Sequence, residues 1–165
     1  MTQASERFTL YRDNPVQSIQ ARRAGQVLWV MLNPSTADAI IDDPTIRRVM
    51  GFSWREGFGA LAVVNLFAQR STDPKHLITP ARHVQIQNIE TIEYHIDRCS
   101  AVVAAWGTTI PKSLMSYAKA MIGIIRLHAD NQGKPIYRLG VTANGSPRHP
   151  LYVKADVPFQ VWPVL

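Results

Sequence analysis

The sequence has little cysteine and no long apolar run. Cys99 is the only cysteine among 165 residues, which excludes an internal disulfide and a multi-cysteine metal site. Its apolar neighbours predict a buried thiol. The longest apolar run, residues 27–32, is too short to cross a bilayer, and residues 1–7 lack the apolar core of a signal peptide. We therefore expect a protein of the reducing cytoplasm with no membrane association.

Several motifs of common enzyme classes are also missing. The five histidines form neither an HxxxH nor an HExxH pattern, which disfavours a histidine metal centre. The sequence contains no GxGxxG fingerprint, no GxxxxGK[ST] loop and no GxSxG elbow. A nucleotide-dependent dehydrogenase, a P-loop phosphotransferase and a serine hydrolase are therefore disfavoured. The sequence predicts no metal and no cofactor.

Charge is sparse but biased to one sign. Only 18% of the residues are charged, and the formal net charge is +6. This balance favours an acidic partner such as nucleic acid, a nucleotide or another phosphorylated ligand. Because only Arg22-Arg23 and Arg47-Arg48 are adjacent basic pairs, ordinary solubility explains the charge equally well. The length and the 46% hydrophobic content predict one globular domain over residues 1–165, whose oligomeric state the sequence does not indicate.

Predicted strands and helices alternate along the chain. Strands are predicted at residues 7–12, 16–22, 26–32, 60–66, 101–105 and 135–139. Helices are predicted from Asp43-Pro44 to about residue 57, and at 80–98 and 111–127. This order predicts an α/β fold whose mostly parallel sheet lies between helices, with the first two strands as an N-terminal antiparallel hairpin. The prolines of the C-terminal "VPFQVWPVL" favour an edge position.

The four central strands end in polar or aromatic residues. Polar groups are costly to bury unless they are used, and parallel sheets bind ligands at the carboxyl ends of their strands. We therefore expect these strand ends to form one site. The candidates, in chain order and with one arginine from the first helix, are Asn33, Ser35, Asp38, Arg47, Asn65, Phe67, Arg70, Trp106, Arg148 and His149.

Each candidate also has a simpler explanation. Asn33 precedes a proline and could be a turn residue, and Ser35 could cap a helix. Capping alone explains Asp43. His149 is either an exposed loop histidine or, with Arg148 beside it, part of an anion site.

Four segments carry a resemblance that spans nearly the whole chain. They are "MLNPSTADAIIDDPTIRR", "GFGALAVVNLFAQRSTDPKHL", "VVAAWG" and "LGVTANGSPRHPLYV". These segments resemble the signature blocks of an uncharacterised, mainly bacterial family, domain of unknown function 1643. That resemblance implies no particular reaction.

The order of these blocks is also similar to that of the uracil-DNA glycosylase superfamily. This similarity implies a three-layer α/β/α sandwich. It places Asn33-Pro34 at the motif that positions the attacking water, and Asn65 where the uracil-specific members read the pyrimidine edge. Trp106-Gly107 matches the end of a third strand. His149-Pro150 matches the motif whose histidine stabilises the departing base anion.

Two departures from that superfamily concern catalysis. Asn33 stands where the most active members have a carboxylate, which weakens the expectation of general-base catalysis. Residues 151–153, Leu-Tyr-Val, replace the Ser-Pro-Leu-Ser segment that enters the DNA minor groove, which weakens the expectation of base flipping from a duplex.

The predicted function is binding of a nucleobase, nucleotide or nucleic acid at the carboxyl edge of the sheet. Glycosylase-like hydrolysis or transfer at an N-glycosidic bond would accompany it, with Asn33 and His149 catalytic and the other candidates binding substrate. One alternative is a catalytically inert module that reads a modified base. Another is an enzyme whose small phosphorylated substrate is held by Arg48 and Arg148.

Overall fold

The computed structural model describes residues 6–15, 24–34 and 43–162. Within these ranges the chain forms a mixed α/β fold with a six-stranded sheet and three α-helices. The strands are β1 (Leu10–Asp13), β2 (Gln26–Met31), β3 (Ala60–Asn65), β4 (Ala101–Ala104), β5 (Ile136–Arg138) and β6 (Gln160–Val161). The helices are α1 (Pro44–Arg55), α2 (Arg82–Arg98) and α3 (Met115–Asn131), and short 3₁₀ turns occur at Pro74–His76, Lys112–Leu114 and Pro150–Tyr152.

The strand order is β1-β3-β2-β4-β5-β6. The inner strands β3, β2, β4 and β5 are parallel, whereas β1 and β6 pair antiparallel at the two edges. The prediction of a mostly parallel sheet is therefore wrong, because strand–helix alternation reports only the inner strands and misses the orientation of short edge strands. The edge position predicted for the C-terminal segment is confirmed by β6.

The predicted N-terminal hairpin concerned residues 7–12 and 16–22. Residues 16–22 lie outside the described ranges. Within those ranges β1 pairs with β3, and Leu10 lies opposite Val63. A strand close to the N-terminus thereby reaches the edge of the sheet beside a strand that is distant in sequence.

The side chains of β2 alternate between two apolar layers. Val27, Trp29 and Met31 belong to the core cluster that contains the buried residues of α1. Leu28 and Val30 belong to the cluster that contains Ile92 and Ile96 of α2 and the buried residues of α3. Because both faces of this strand are covered, its apolar run needs no polar alternation, as predicted.

The helix starts agree only in part with the predictions. The backbone N–H of Ile46 donates to Oδ1 of Asp43 at 2.8 Å, and Pro44 is the first helical residue, which confirms the predicted cap of α1. Helix α2 begins at Arg82, after the predicted residue 80, and Ala81 supplies no side-chain cap. When no capping residue is present, the sequence does not show at which residue the helix begins.

Cys99 is buried at the end of α2, as predicted. Burial raises the pKa of its thiol to about 11, so the nucleophilic thiolate is scarce at neutral pH. Within the described ranges, no helix combines the length and apolar character needed to cross a membrane.

Candidate functional site

A cavity of about 460 Å³ opens at the carboxyl ends of the inner strands. Asn33 follows β2, Asn65 is the last residue of β3, and Trp106 follows β4. Arg148 and His149 come from the segment between β5 and β6. All five residues line this cavity. The polar and aromatic strand ends therefore meet in one place.

Of the other five candidates, the three that the structure describes lie outside the cavity lining. Ser35 and Asp38 are outside the described residues. Phe67 is fully buried, with its ring centroid 5.0 Å from that of Tyr117. Arg47 is exposed on α1, and Arg70 is half-buried beyond β3. Neither arginine lines the cavity, and neither does Phe67.

The described lining includes Trp106 and Tyr152 as well as the imidazole ring of His149. Trp106 is almost fully buried, whereas Tyr152 is 78% exposed. The ring of Tyr152 lies 5.8 Å from that of His149. The ring of Trp106 packs against that of Trp162 in the core, at a centroid distance of 5.3 Å. The exposed ring of Tyr152 at the rim is therefore the stacking surface that the described lining offers.

Asn65 is the most enclosed polar residue of the lining. It is only 5% exposed, and its carboxamide makes no hydrogen bond with the described part of the chain. Asn88 of α2 holds the strand end from behind by donating to the carbonyls of Asn65 at 3.0 Å and Leu66 at 3.3 Å. The hydrogen-bonding capacity of this amide is thus not used by the described chain. This amide is therefore placed to bind a molecule inside the cavity.

Asn33 has a more restricted role. Its Nδ2 donates to the carbonyl oxygens of Pro34 at 3.1 Å and Ser71 at 2.8 Å. Both N–H bonds of the amide thus tie the end of β2 to the loop after β3. The side-chain oxygen can still accept a hydrogen bond from a water, but an amide does not take up a proton at neutral pH.

His149 is oriented by the 3₁₀ turn that it caps. The backbone N–H of Leu151 donates to Nδ1 of His149 at 3.3 Å, so the neutral ring carries its proton on Nε2. Burial lowers the pKa of His149, and the negative charge of Asp43 opposes that shift. The imidazole is therefore a neutral N–H donor at pH 7.

Helix α1 supports the segment that carries His149. The guanidinium of Arg48 donates to the backbone carbonyls of Pro150 and Val153. It also lies 5.0 Å from the ring centroid of Phe52. Arg48 therefore positions the segment after His149 and does not line the cavity.

Gly107 permits the close approach of that segment to the end of β4. Its φ is +74°, and an added Cβ would lie 3.3 Å from Cβ of His149. Its N–H also donates to the carbonyl of Pro147 at 3.0 Å. A side chain here would meet both backbone strain and a neighbour.

We expect Gly107→Ala to be more destabilising than Gly133→Ala. Gly133 has a similar φ of +62° but no atom within 4 Å of an added Cβ, so both variants lose about 1 kcal/mol to the backbone and only the first meets His149. Urea unfolding measures the difference, and NMR of the His149 ring should show a shift in Gly107→Ala alone. If both variants lose the same free energy of unfolding and the NMR signals of the His149 ring do not shift, the contact between residue 107 and His149 is not tight.

Two charged residues of the lining were missed by the sequence predictions. Arg7 precedes β1 and reaches the cavity because that strand pairs with β3; no local motif indicates this. Asp43 lines the cavity as well as capping α1. The sequence does not predict this position in the cavity, because helix capping already explains an aspartate before Pro44.

The fold and the cavity define a mixed α/β protein with a cleft of apolar and polar residues at the carboxyl ends of its parallel strands. The model of a family described as "Protein of unknown function (DUF1643)" matches residues 7–151. The chain belongs to this family, in agreement with the resemblance of its four signature segments. No curated protein and no solved structure matches the chain. Within the described residues, no cluster of three or more His, Cys, Asp or Glu side chains could hold a metal ion.

Proposed function

We propose that the cavity binds the base of a nucleotide or nucleic acid and that the protein hydrolyses its N-glycosidic bond. The observation that carries the proposal is the enclosed carboxamide of Asn65, which has no partner in the described chain. A base edge presents the adjacent donors and acceptors that an amide pairs with. Helix α1 packs on one face of the sheet and α2 and α3 pack on the other, an arrangement that the proposed likeness to the glycosylases requires.

The remaining lining residues suit the same ligand. The exposed ring of Tyr152 offers a stacking surface for a base. The Nε2–H of His149 is a donor for a base oxygen that becomes negative as the bond breaks. The side-chain oxygen of Asn33 can hold the attacking water. Each group of the reaction thus has a counterpart in the cavity wall.

Two arginines favour a ligand that carries phosphate. Arg7 and Arg148 both line the cavity, and Nε of Arg148 donates to the carbonyl of Val141 at 3.0 Å, which fixes its guanidinium. A guanidinium matches the geometry of phosphate oxygens. These residues support a nucleotide unit over a free base.

One observation favours a second candidate, a binding module without catalysis. Asn33 replaces the carboxylate of the active glycosylases, and its amide is occupied by backbone carbonyls. The third candidate, an enzyme for a small phosphorylated metabolite, would use Arg48 and Arg148. It loses support because Arg48 is bound to backbone carbonyls outside the cavity.

Incubation with uracil- or modified-base DNA, single-stranded and duplex, tests the proposal. We expect release of the free base, measured by chromatography, and binding that weakens as salt rises because phosphates are contacted. Binding without release would favour the inert module. Absence of binding even at low salt would contradict the proposal and favour the metabolite enzyme.

A further inference from the structure

Asp43 is both the N-cap of α1 and a residue of the cavity lining. As the N-cap of α1 it accepts the N–H of Ile46 at 2.8 Å, which fixes the carboxylate before any ligand arrives. It also lines the cavity, and among the described lining residues it is the single carboxylate. Its negative charge acts on His149 and on Arg7. The anion therefore belongs to the cavity as well as to the helix.

We propose that Asp43 is the catalytic carboxylate of this site and performs the step that Asn33 cannot. The inference rests on the proposed function. Asn33 uses both of its amide N–H bonds on backbone carbonyls and has no basic atom. Asp43 lines the same cavity from α1, a different element. The carboxylate that is missing from the end of β2 would thus be supplied by the start of α1.

The reaction assigns a task to each group. The C1′–N bond breaks with its electron pair on the base, and C1′ becomes positive. The oxygen of a water then bonds to C1′ while the carboxylate of Asp43 takes one proton of that water and passes it to solvent. The base anion, held by the Nε2–H of His149, gains a proton from solvent. The products are the free base and the sugar hydroxyl.

The charges around His149 fit this division. Asp43 is the negative group that acts on it, and Arg148 is its neighbour in sequence. Arg48 binds the carbonyl of Pro150, the next residue, and Arg7 lines the same cavity. The lining thus holds a negative group for the sugar, which becomes positive, and donors for the base, which becomes negative.

Asp43→Asn tests the role without removing the cap. Asparagine caps helices about as well as aspartate, so the variant loses the charge and the proton acceptor and keeps α1. We expect base release to fall by about 10²- to 10⁴-fold, the range typical of acid–base groups, with nucleotide affinity nearly unchanged. If Asp43→Asn is unstable, Asp43→Ser takes its place in the experiment, because serine keeps an oxygen that can cap α1.

The chain offers a matched control in a second Asp-Pro cap. Asp73 accepts the N–H of Lys75 at 2.9 Å and does not line the cavity. Asp73→Asn should therefore leave base release unchanged. Equal losses in the two aspartate variants would show that the cap, and not the cavity carboxylate, is what matters, and would overturn the proposal.

A ligand-free measurement separates this proposal from the proposed function. NMR titration should give a lower pKa for His149 in Asp43→Asn than in the wild type, because a negative charge that favours the imidazolium is lost. Asp73→Asn should not change it. An unmoved pKa, or full base release by Asp43→Asn, overturns the role of Asp43 while the function stands. A wild type that neither binds nor releases overturns the function itself, and one that binds without release overturns both the hydrolysis and the role of Asp43.

Discussion

His149→Ala is expected to lower base release by about 10²- to 10³-fold, as loss of an oxyanion donor does in other enzymes. The wild-type ring is held by the N–H of Leu151 on Nδ1, which leaves Nε2–H as the donor. Alanine leaves the developing charge on the base without this partner. Release of the base from a uracil-containing oligonucleotide, followed over time, measures the loss.

The fold should survive this change. The capping hydrogen bond at 3.3 Å is long, and its loss costs about 1 kcal/mol, which thermal unfolding can measure. His83→Ala is the matched control, because His83 is exposed on α2 and lies outside the cavity lining. Full activity of a folded His149→Ala protein would remove His149 from the mechanism.

Asn65→Ala is expected to weaken nucleotide binding by about 5- to 150-fold, which corresponds to about 1–3 kcal/mol for a paired amide–base contact. The stability of the ligand-free protein should change little, because the carboxamide has no hydrogen-bond partner in the described chain. Fluorescence anisotropy with a labelled oligonucleotide measures binding, and urea unfolding measures stability.

Asn131→Ala provides the comparison for Asn65→Ala. Asn131 is the exposed last residue of α3 and lies outside the cavity lining, so its loss should leave affinity unchanged. Asn65→Asp replaces the amide donor by an acceptor and should change which base is preferred. If Asn65→Ala binds as tightly as the wild type, the base edge is not read by this residue.

The inner strands of the sheet could be predicted because burial on both faces leaves a local mark. The apolar run of β2 is such a mark. The Asp43-Pro44 start of α1 is another local signal, and the structure contains it as well. The edges could not be predicted in the same way. β1 finds its partner in β3, which is distant in sequence, and β6 has only two residues. No local sequence pattern therefore indicates which strand either of them pairs with.

The meeting of Asn33, Asn65, Trp106 and His149 follows from the rule that parallel strands present their carboxyl ends together. Their roles remain predictions. The position of Phe67 at the end of a central strand predicts that it binds substrate, yet its ring packs against Tyr117 in the core. Beyond the end of a strand, closeness in sequence does not show which way a side chain points. Tertiary packing decides that direction.

Helix α1 joins two parts of the cavity mechanically. Its first turn is capped by Asp43, and Arg48 in the next turn donates to the carbonyls of Pro150 and Val153, which lie at the start and just after the end of the 3₁₀ turn that follows His149. A rigid displacement of α1 would therefore carry the carboxylate and the histidine segment in the same direction. The distance between the carboxylate of Asp43 and the segment of His149 would then be maintained. The distance of both from the ends of β2 and β3 would change. Thermal motion of this helix would alter the width of the cleft more than the alignment of those two groups.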